Sequence, residues 1–299
     1  MRFPKLVLVT ALVCASMSSV LFFFVSCVRE DMEKCVQYAL TVRVVDTDGN
    51  DLTGSGVLQN TNVYLFDESG FVRMVSTGTS ADFIFGANKS ATLTLVAWGN
   101  VKTDTLQATP ITQDTPIGDA RLQLRHRAGG GNLPVTDLFY CRKTVTFAQT
   151  RGMQESTITL VMSRQVAGLS IRTRYFSVRY PYIGQAYHFI VRGTGNEMDF
   201  TGKVMGSEAA YEPPSITDNN GDMYAPLFRI FPTEEGQYIE IDIYRGDEKL
   251  YTVTEDNNFN RIYAPAGKQL NVDIDFRYTE VKVGTTITPW VEVTQNAEM

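Results

Sequence analysis

The chain is poor in the residues that do chemistry. Its 299 residues hold two histidines, two tryptophans and four cysteines. His126 and His188 each stand alone in a strand-like segment, outside any two-histidine zinc spacing or nucleophile motif, so packing or surface roles are expected for both. Glycine is concentrated in "AGGGNLP" (128–134), but the Lys and Ser/Thr of a phosphate cradle are missing and Pro134 stands where a helix would begin. That stretch is expected to be a loop. An excess of positive charge is absent too: 27 Lys and Arg face 33 Asp and Glu, for a net charge of −6. Such a surface does not attract phosphate backbones, which excludes nucleic acid as a partner. No constellation for catalysis, for a cofactor or for a metal emerges, and no enzymatic activity is expected.

Two acidic stretches have the composition of calcium sites. "DTDGND" offers Asp46, Asp48, Asn50 and Asp51, and "TDNNGDM" offers Asp218, Asn220 and Asp222. The helix-loop-helix calcium motif needs Gly at its sixth position, where these stretches have Asp51 and Met223. Asp, Asn and Gly favour turns, because they bond their own backbone or tolerate positive φ. Turns are therefore expected at both places. Trp98 and Trp290 could stack on sugars, yet each lies in or beside a strand pattern, which favours the core.

Helical periodicity over ten or more residues is also missing, and period-two alternation takes its place. In "VQYALTVRVVD" Tyr38, Leu40, Val42 and Val44 alternate with Gln37, Thr41 and Arg43, which sends one set to a core. "NVYLFDESGFVRMV" has the form of a hairpin, as does "QYIEIDIYRGDEKLYTVT" around Gly246-Asp247. "ATLTLVAWGN", "DLFYCRKTVTF", "STITLVMSR", "QVAGLSIRTRYF" and "KQLNVDIDFRYTEVKV" continue the pattern. Many short strands with polar turns imply an all-β fold of packed sandwiches.

The N-terminus is the exception. Arg2 and Lys5 precede an apolar run, Leu6 to Val25, which ends at Ser26-Cys27 and is followed by Arg29, Glu30, Asp31 and Glu33. A charged start and an apolar run are a secretion signal. The run is also long enough to span a bilayer, so an uncleaved anchor is the competing reading. No Lys/Arg cluster follows it as a stop-transfer would require. Removing residues 1–26 as signal peptide leaves 273 of the 299 and a net charge near −8, a length suited to two domains. The expected division is a tether at 27–35, an N-terminal β-sandwich domain at 36–164 and a C-terminal one at 165–299. Cys14 lies within the signal, so Cys35 and Cys141 remain; they could close one disulfide or stay as two thiols.

The segment ending at "SC" resembles a bacterial lipoprotein lipobox, with Phe24 where Leu is usual. The resemblance implies cleavage before Cys27 and acylation of that residue, with palmitate-type chains as the membrane tether. The acids that follow look like the surface-export signal of Bacteroidetes-type lipoproteins. Read in order, "CVQYALTVRVVD", "VYLFDESGFV", "LTLVAWGN", "DLFY" and "SRQVAGLSIRTRY" resemble the FimB-like fimbrial anchor lipoproteins of Bacteroidales type V pili. That likeness implies two tandem transthyretin-like β-sandwich domains. It also implies a fimbrial anchor or minor subunit at the fimbrium base, lipid-anchored at the cell outer membrane and surface-exposed, with pilin subunits as partners joined by β-strand exchange. The C-terminal "TTITPWVEVTQ" is the candidate donor strand, with Ile287, Trp290, Val291 and Val293 as anchors, or else it completes its own domain. A surface-exposed glycan-binding lipoprotein is the alternative, and would show clustered aromatics on a concave face.

Overall fold

The computed structural model describes residues 35–78, 80–86, 91–128, 130–147 and 156–290. Cys27 and residues 291–299, with Val291 and Val293, lie outside the described residues. The first half forms β1 (Cys35–Val45), β2 (Thr61–Phe66), β3 (Phe71–Thr77), β4 (Ser80–Gly86), β5 (Ala91–Gly99), β6 (Leu106–Ala108), β7 (Arg121–Leu124), β8 (Phe139–Phe147) and β9 (Ser156–Arg164). The second forms β10 (Ala167–Arg174), a single helical turn α1 (Phe176–Arg179), β11 (Tyr187–Arg192), β12 (Gly195–Asp199), β13 (Val204–Glu208) and β14 (Ile216–Thr217). It closes with β15 (Met223–Ile230), β16 (Glu240–Arg245), β17 (Glu248–Val253), β18 (Lys268–Asp275) and β19 (Lys282–Pro289). The chain is all-β, as its alternation predicts. Both expected hairpins form, β2 on β3 and β16 on β17.

Seven strands of the first half build one sheet, in the order β3-β2-β5-β8-β9-β1-β4. The second half contributes a five-stranded sheet, β14-β15-β10-β18-β19, and a three-stranded one, β11-β16-β17. A fourth sheet, β13-β12-β7-β6, takes two strands from each half. Arg121 to Gln123 pair with Asp199 to Glu197 across the boundary, so the halves share a hydrogen-bonded ladder.

The apolar residues explain this join. In β1, Leu40, Val42 and Val44 are buried and Thr41 and Arg43 exposed, the alternation of a strand with one wet face. β5 differs, because Leu93 and Leu95 fill one core while Val96 and Trp98 fill another on the opposite face. The near-continuous run "LVAW" is what a strand buried on both sides requires. The first of those cores is made wholly by the first half. The second takes Tyr64, Phe66 and Trp98 from the first half and packs them with the second half's Phe200, at centroid distances of 4.8, 6.1 and 5.9 Å. Edge-to-face aromatic pairs of this kind add about 0.5–1.5 kcal/mol each beyond area burial. Tyr140 and Gln165 donate to the carbonyls of Phe200 and Gly202 at 3.1 and 3.0 Å and fix the same corner.

Candidate functional site: the last strand and the turns around it

Four turns share one construction. Asp46, Asp199, Asp218 and Asp256 each accept, on one carboxylate oxygen, the backbone N–H groups two and four residues ahead, at 2.8–3.0 Å. In each, the aspartate's own N–H donates to the carbonyl four residues on, and its carbonyl accepts from the residue three ahead. That third-ahead residue has positive φ: Gly49 at 86°, Gly202 at 89°, Gly221 at 79° and Phe259 at 63°. The two acidic stretches with calcium-like composition are thus turns in which Asp46 and Asp218 face their own backbone, while Asp48 accepts from Lys268, Asp51 from Arg43 and Asp222 from the Phe176 N–H. Side-chain and backbone donors from Asn50 hold the Asp46 carboxyl below its ordinary value, and those of Asn260 and Asn258 do the same for Asp256. Among the described residues no group of three or more metal-ligating side chains occurs.

The turn at Asp256 departs from its three sisters by carrying phenylalanine where they have glycine. Only glycine takes this conformation without cost; for other residues it is worth roughly 1–2 kcal/mol. The Phe259 ring is not repaid by burial, for it is 80% exposed. The turn is fastened to β19 at two points. Thr285 donates through Oγ1 to Asp256 Oδ2 at 3.3 Å, and Val283 and Asn257 exchange hydrogen bonds, N–H to Oδ1 at 2.7 Å and carbonyl from N–H at 2.9 Å. Tyr238, Phe259, Arg261, Tyr263, Leu270 and Ile287 border a groove of about 710 Å³ beside this strand.

β19 itself is the edge of the five-stranded sheet and pairs antiparallel with β18 along its whole length, Asp275 with Lys282 through Lys268 with Pro289. Ile287 lies opposite Leu270 and is 37% exposed. Trp290 follows directly, half-buried, with Arg164 at 4.1 Å and Arg229 at 5.5 Å from its ring centre. The ring passes so close to Gly168 that a Cβ there would stand 2.9 Å from it. Ile287 and Trp290 therefore occupy places in their own fold. Trp98 is fully buried, as expected, which removes it as a sugar platform. His188 stacks on Tyr244 at 5.2 Å, and His126 bridges to Asn132 at the base of the glycine-rich loop.

Cys141 is a free thiol, and it lies far along the sheet from Cys35. Register gives the reason. Tyr140 pairs with Ser163 and Ser163 with Val45, which sets Cys141 level with Val44 and nine residues along the strand from Cys35. At about 3.3 Å per residue the separation is roughly 30 Å, far beyond a disulfide's span. Burial raises the Cys141 thiol above its ordinary value, keeping it protonated at neutral pH.

Comparison with known proteins adds what this geometry does not carry. The sequence model for fimbrillin-A associated anchor proteins Mfa1 and Mfa2 matches residues 31–296. The major fimbrium anchoring subunit FimB of Porphyromonas gingivalis strain W83 is 26% identical over 288 residues, 92% of this chain and 93% of that one. Among solved structures, the fimbrial anchor protein Mfa2 of P. gingivalis superposes with a TM-score of 0.65 at 13% identity, covering 86% of this chain and 98% of its own. A candidate adhesin of Bacteroides ovatus superposes at 0.63 and 11% identity, covering 91% and 100%. The two structures share the fold.

Proposed function

The chain belongs to the family of fimbrillin-A associated anchor proteins Mfa1 and Mfa2, and on that premise we propose that it is a fimbrial anchor or minor subunit. The carrying observation is the FimB likeness, which runs through 92% of this chain and 93% of the relative rather than through one module. The chain's own residues support a structural role, with a core continuous across both halves and carboxylates spent on turns.

The anchoring chemistry falls to Cys27. Signal cleavage before it and acylation of its thiol would fix the protein in the outer membrane. Each buried methylene contributes about 0.8 kcal/mol, and stable anchoring takes more than one chain. The acids after Cys27 accord with display on the outer surface. Pilin subunits are the partners, joined by strand pairing at an exposed sheet edge, where main-chain hydrogen bonds supply affinity and alternate side chains supply register. As Ile287 and Trp290 are engaged in their own domain, a donated strand would consist of Val291, Val293 and the residues after them.

Removing the chain from its host tests the role. Fimbriae are expected in the culture medium instead of on cells, and the wild-type chain should restore them to the cell surface. Fimbriae that stay attached without it would refute the anchor reading.

A further inference from the structure

The groove beside β19 is built so that aromatic rings stay at the surface. Ile239 donates its N–H to the carbonyl of Ile262 at 2.8 Å, and both side chains are buried. The alternation of extended chain then turns their neighbours Tyr238, Arg261 and Tyr263 outward. Phe259 joins them from the Asp256 turn and Ile287 from β19, above the buried Ile262 and Leu270. Tyr238, Phe259 and Tyr263 are 39, 80 and 50% exposed. Among the described residues none of these three rings stacks on another aromatic ring, so their faces are open to a ligand.

Phe259 shows that this exposure is imposed on the chain. Its φ of 63° is the conformation that the three sister turns give to glycine. The Asp256 cage and the bond from Thr285 hold it there. Strain that the surroundings over-determine clusters at ligand sites. Neither the exposed ring nor the strained backbone helps folding, and both suit a surface made for binding.

Polar groups stand between the rings. The Tyr238 and Tyr263 hydroxyls and Asn260 Oδ1 make no hydrogen bond among the described residues. Arg261 lies 5.5 Å from the Tyr238 ring centre and 3.9 Å from Glu240, which leaves most of its N–H donors open. The carboxylate in the lining, Asp256, is occupied by Asn258, Asn260 and Thr285.

We propose that this groove binds a neutral oligosaccharide, a function additional to the anchor reading and independent of it. A pyranose has an apolar C–H face and a rim of hydroxyls that both donate and accept. The face fits the open rings, which combine an apolar body with a polar tip in the two tyrosines. The rim fits the amide, phenol and guanidinium groups between them. The groove's volume of about 710 Å³ is that of a small-ligand site, and the separated rings suit a short chain of sugars. An aliphatic ligand would leave these polar groups unpaired, and an anionic one would meet Asp256 and Glu240.

The test prints neutral and acidic oligosaccharides of bacterial and animal cell surfaces as an array. The array is probed with the full chain, purified from its host in a detergent without a sugar headgroup. Binding to at least one neutral oligosaccharide is expected, and titration calorimetry with that sugar then compares variants. Phe259→Gly removes one ring and relieves the backbone, so a loss of binding is not a loss of fold; Tyr263→Ala removes a second ring. Each should weaken binding about tenfold, the effect of losing one ring contact. Phe259→Tyr keeps a ring and should bind within about twofold of wild type. Tyr182→Ala, at an exposed tyrosine outside the groove, should change nothing. Benzoylphenylalanine at residue 263 should join on illumination to the bound sugar. An array that retains nothing, binding confined to acidic sugars, or unchanged affinity in both Phe259→Gly and Tyr263→Ala would overturn the proposal. So would photochemical joining to a polypeptide, whether residues 291–299 or another subunit, in the presence of the sugar. None of these results bears on whether fimbriae are shed when the chain is removed, so the anchor reading stands or falls separately.

Discussion

The guanidinium carbon of Arg164 sits 4.1 Å from the ring centre of Trp290, while its Nε and Nη2 donate to Asp137 at 2.6 and 2.8 Å. The last residue of β9 and the residue that follows β19 are thereby clasped together, next to the point where the first half of the chain passes into the second. The Arg164 side chain is only 3% exposed, so the pair acts in a medium where its charges are weakly screened.

Breaking this clasp should be costly. Asp137→Ala withdraws the carboxylate facing a buried guanidinium and is expected to destabilise by about 3 kcal/mol. Trp290→Ala removes the stacked ring and should cost about 1–2 kcal/mol. Urea unfolding of the full chain measures both, and an unchanged midpoint for Asp137→Ala would show that the pair does not hold the junction.

The strained turn makes a prediction of order. At most positions alanine is the more stabilising residue and glycine the less. At Phe259, with φ at 63°, Phe259→Gly should be more stable than Phe259→Ala by about 1 kcal/mol. The usual order in a denaturation experiment would mean that the turn relaxes out of the left-handed region.

Acid should loosen the same turn. The Asp256 carboxyl lies below its ordinary value because Asn260 and Asn258 donate to it. A depressed folded value stabilises above the unfolded one and loses that contribution as pH falls through the folded value. Amide exchange at Asn258 and Asn260 should therefore quicken below about pH 4 relative to the intrinsic rate. Asp256→Asn should remove that pH dependence. Equal protection at pH 7 and pH 3 would contradict the cage.

The thiol prediction follows from register. Wild-type protein should show the same mobility with and without reductant, and Cys141 should react slowly with iodoacetamide at neutral pH and faster as pH rises. Because its folded value is raised, the small stability this thiol lends is present below its unfolded value and lost as pH rises through the folded one. A Cys35–Cys141 cross-link found by mass spectrometry would overturn the strand register.

Much of this was legible in the residues. Alternation in "ALTVRVV" gave β1 and its buried face, and the Gly-containing connections gave the two hairpins. The acidic turns were legible as turns because "DTDGN" and "DNNGD" combine an aspartate with a glycine at the left-handed position. The fourth turn, "DNNFN", has phenylalanine there and so lacks the signal that identifies its sisters. The sheet shared by β7 and β12 was hidden for another reason: both strands are short, and pairing between residues 123 and 197 leaves no local trace. The free edge of β19 is likewise a property of strand order. Alternation in "VGTTIT" shows a strand but not which side remains unpaired.

The most direct test of the central claim compares wild type with Cys27→Ser in the native host, by intact mass and membrane fractionation. The account predicts a wild-type chain that begins at Cys27, carries acyl mass and is found in the outer membrane with its fimbriae. The serine variant should lack the acyl mass and release both into the medium. A wild-type chain that retains residues 1–25 without acylation, or a serine variant still holding fimbriae on the cell, would contradict it.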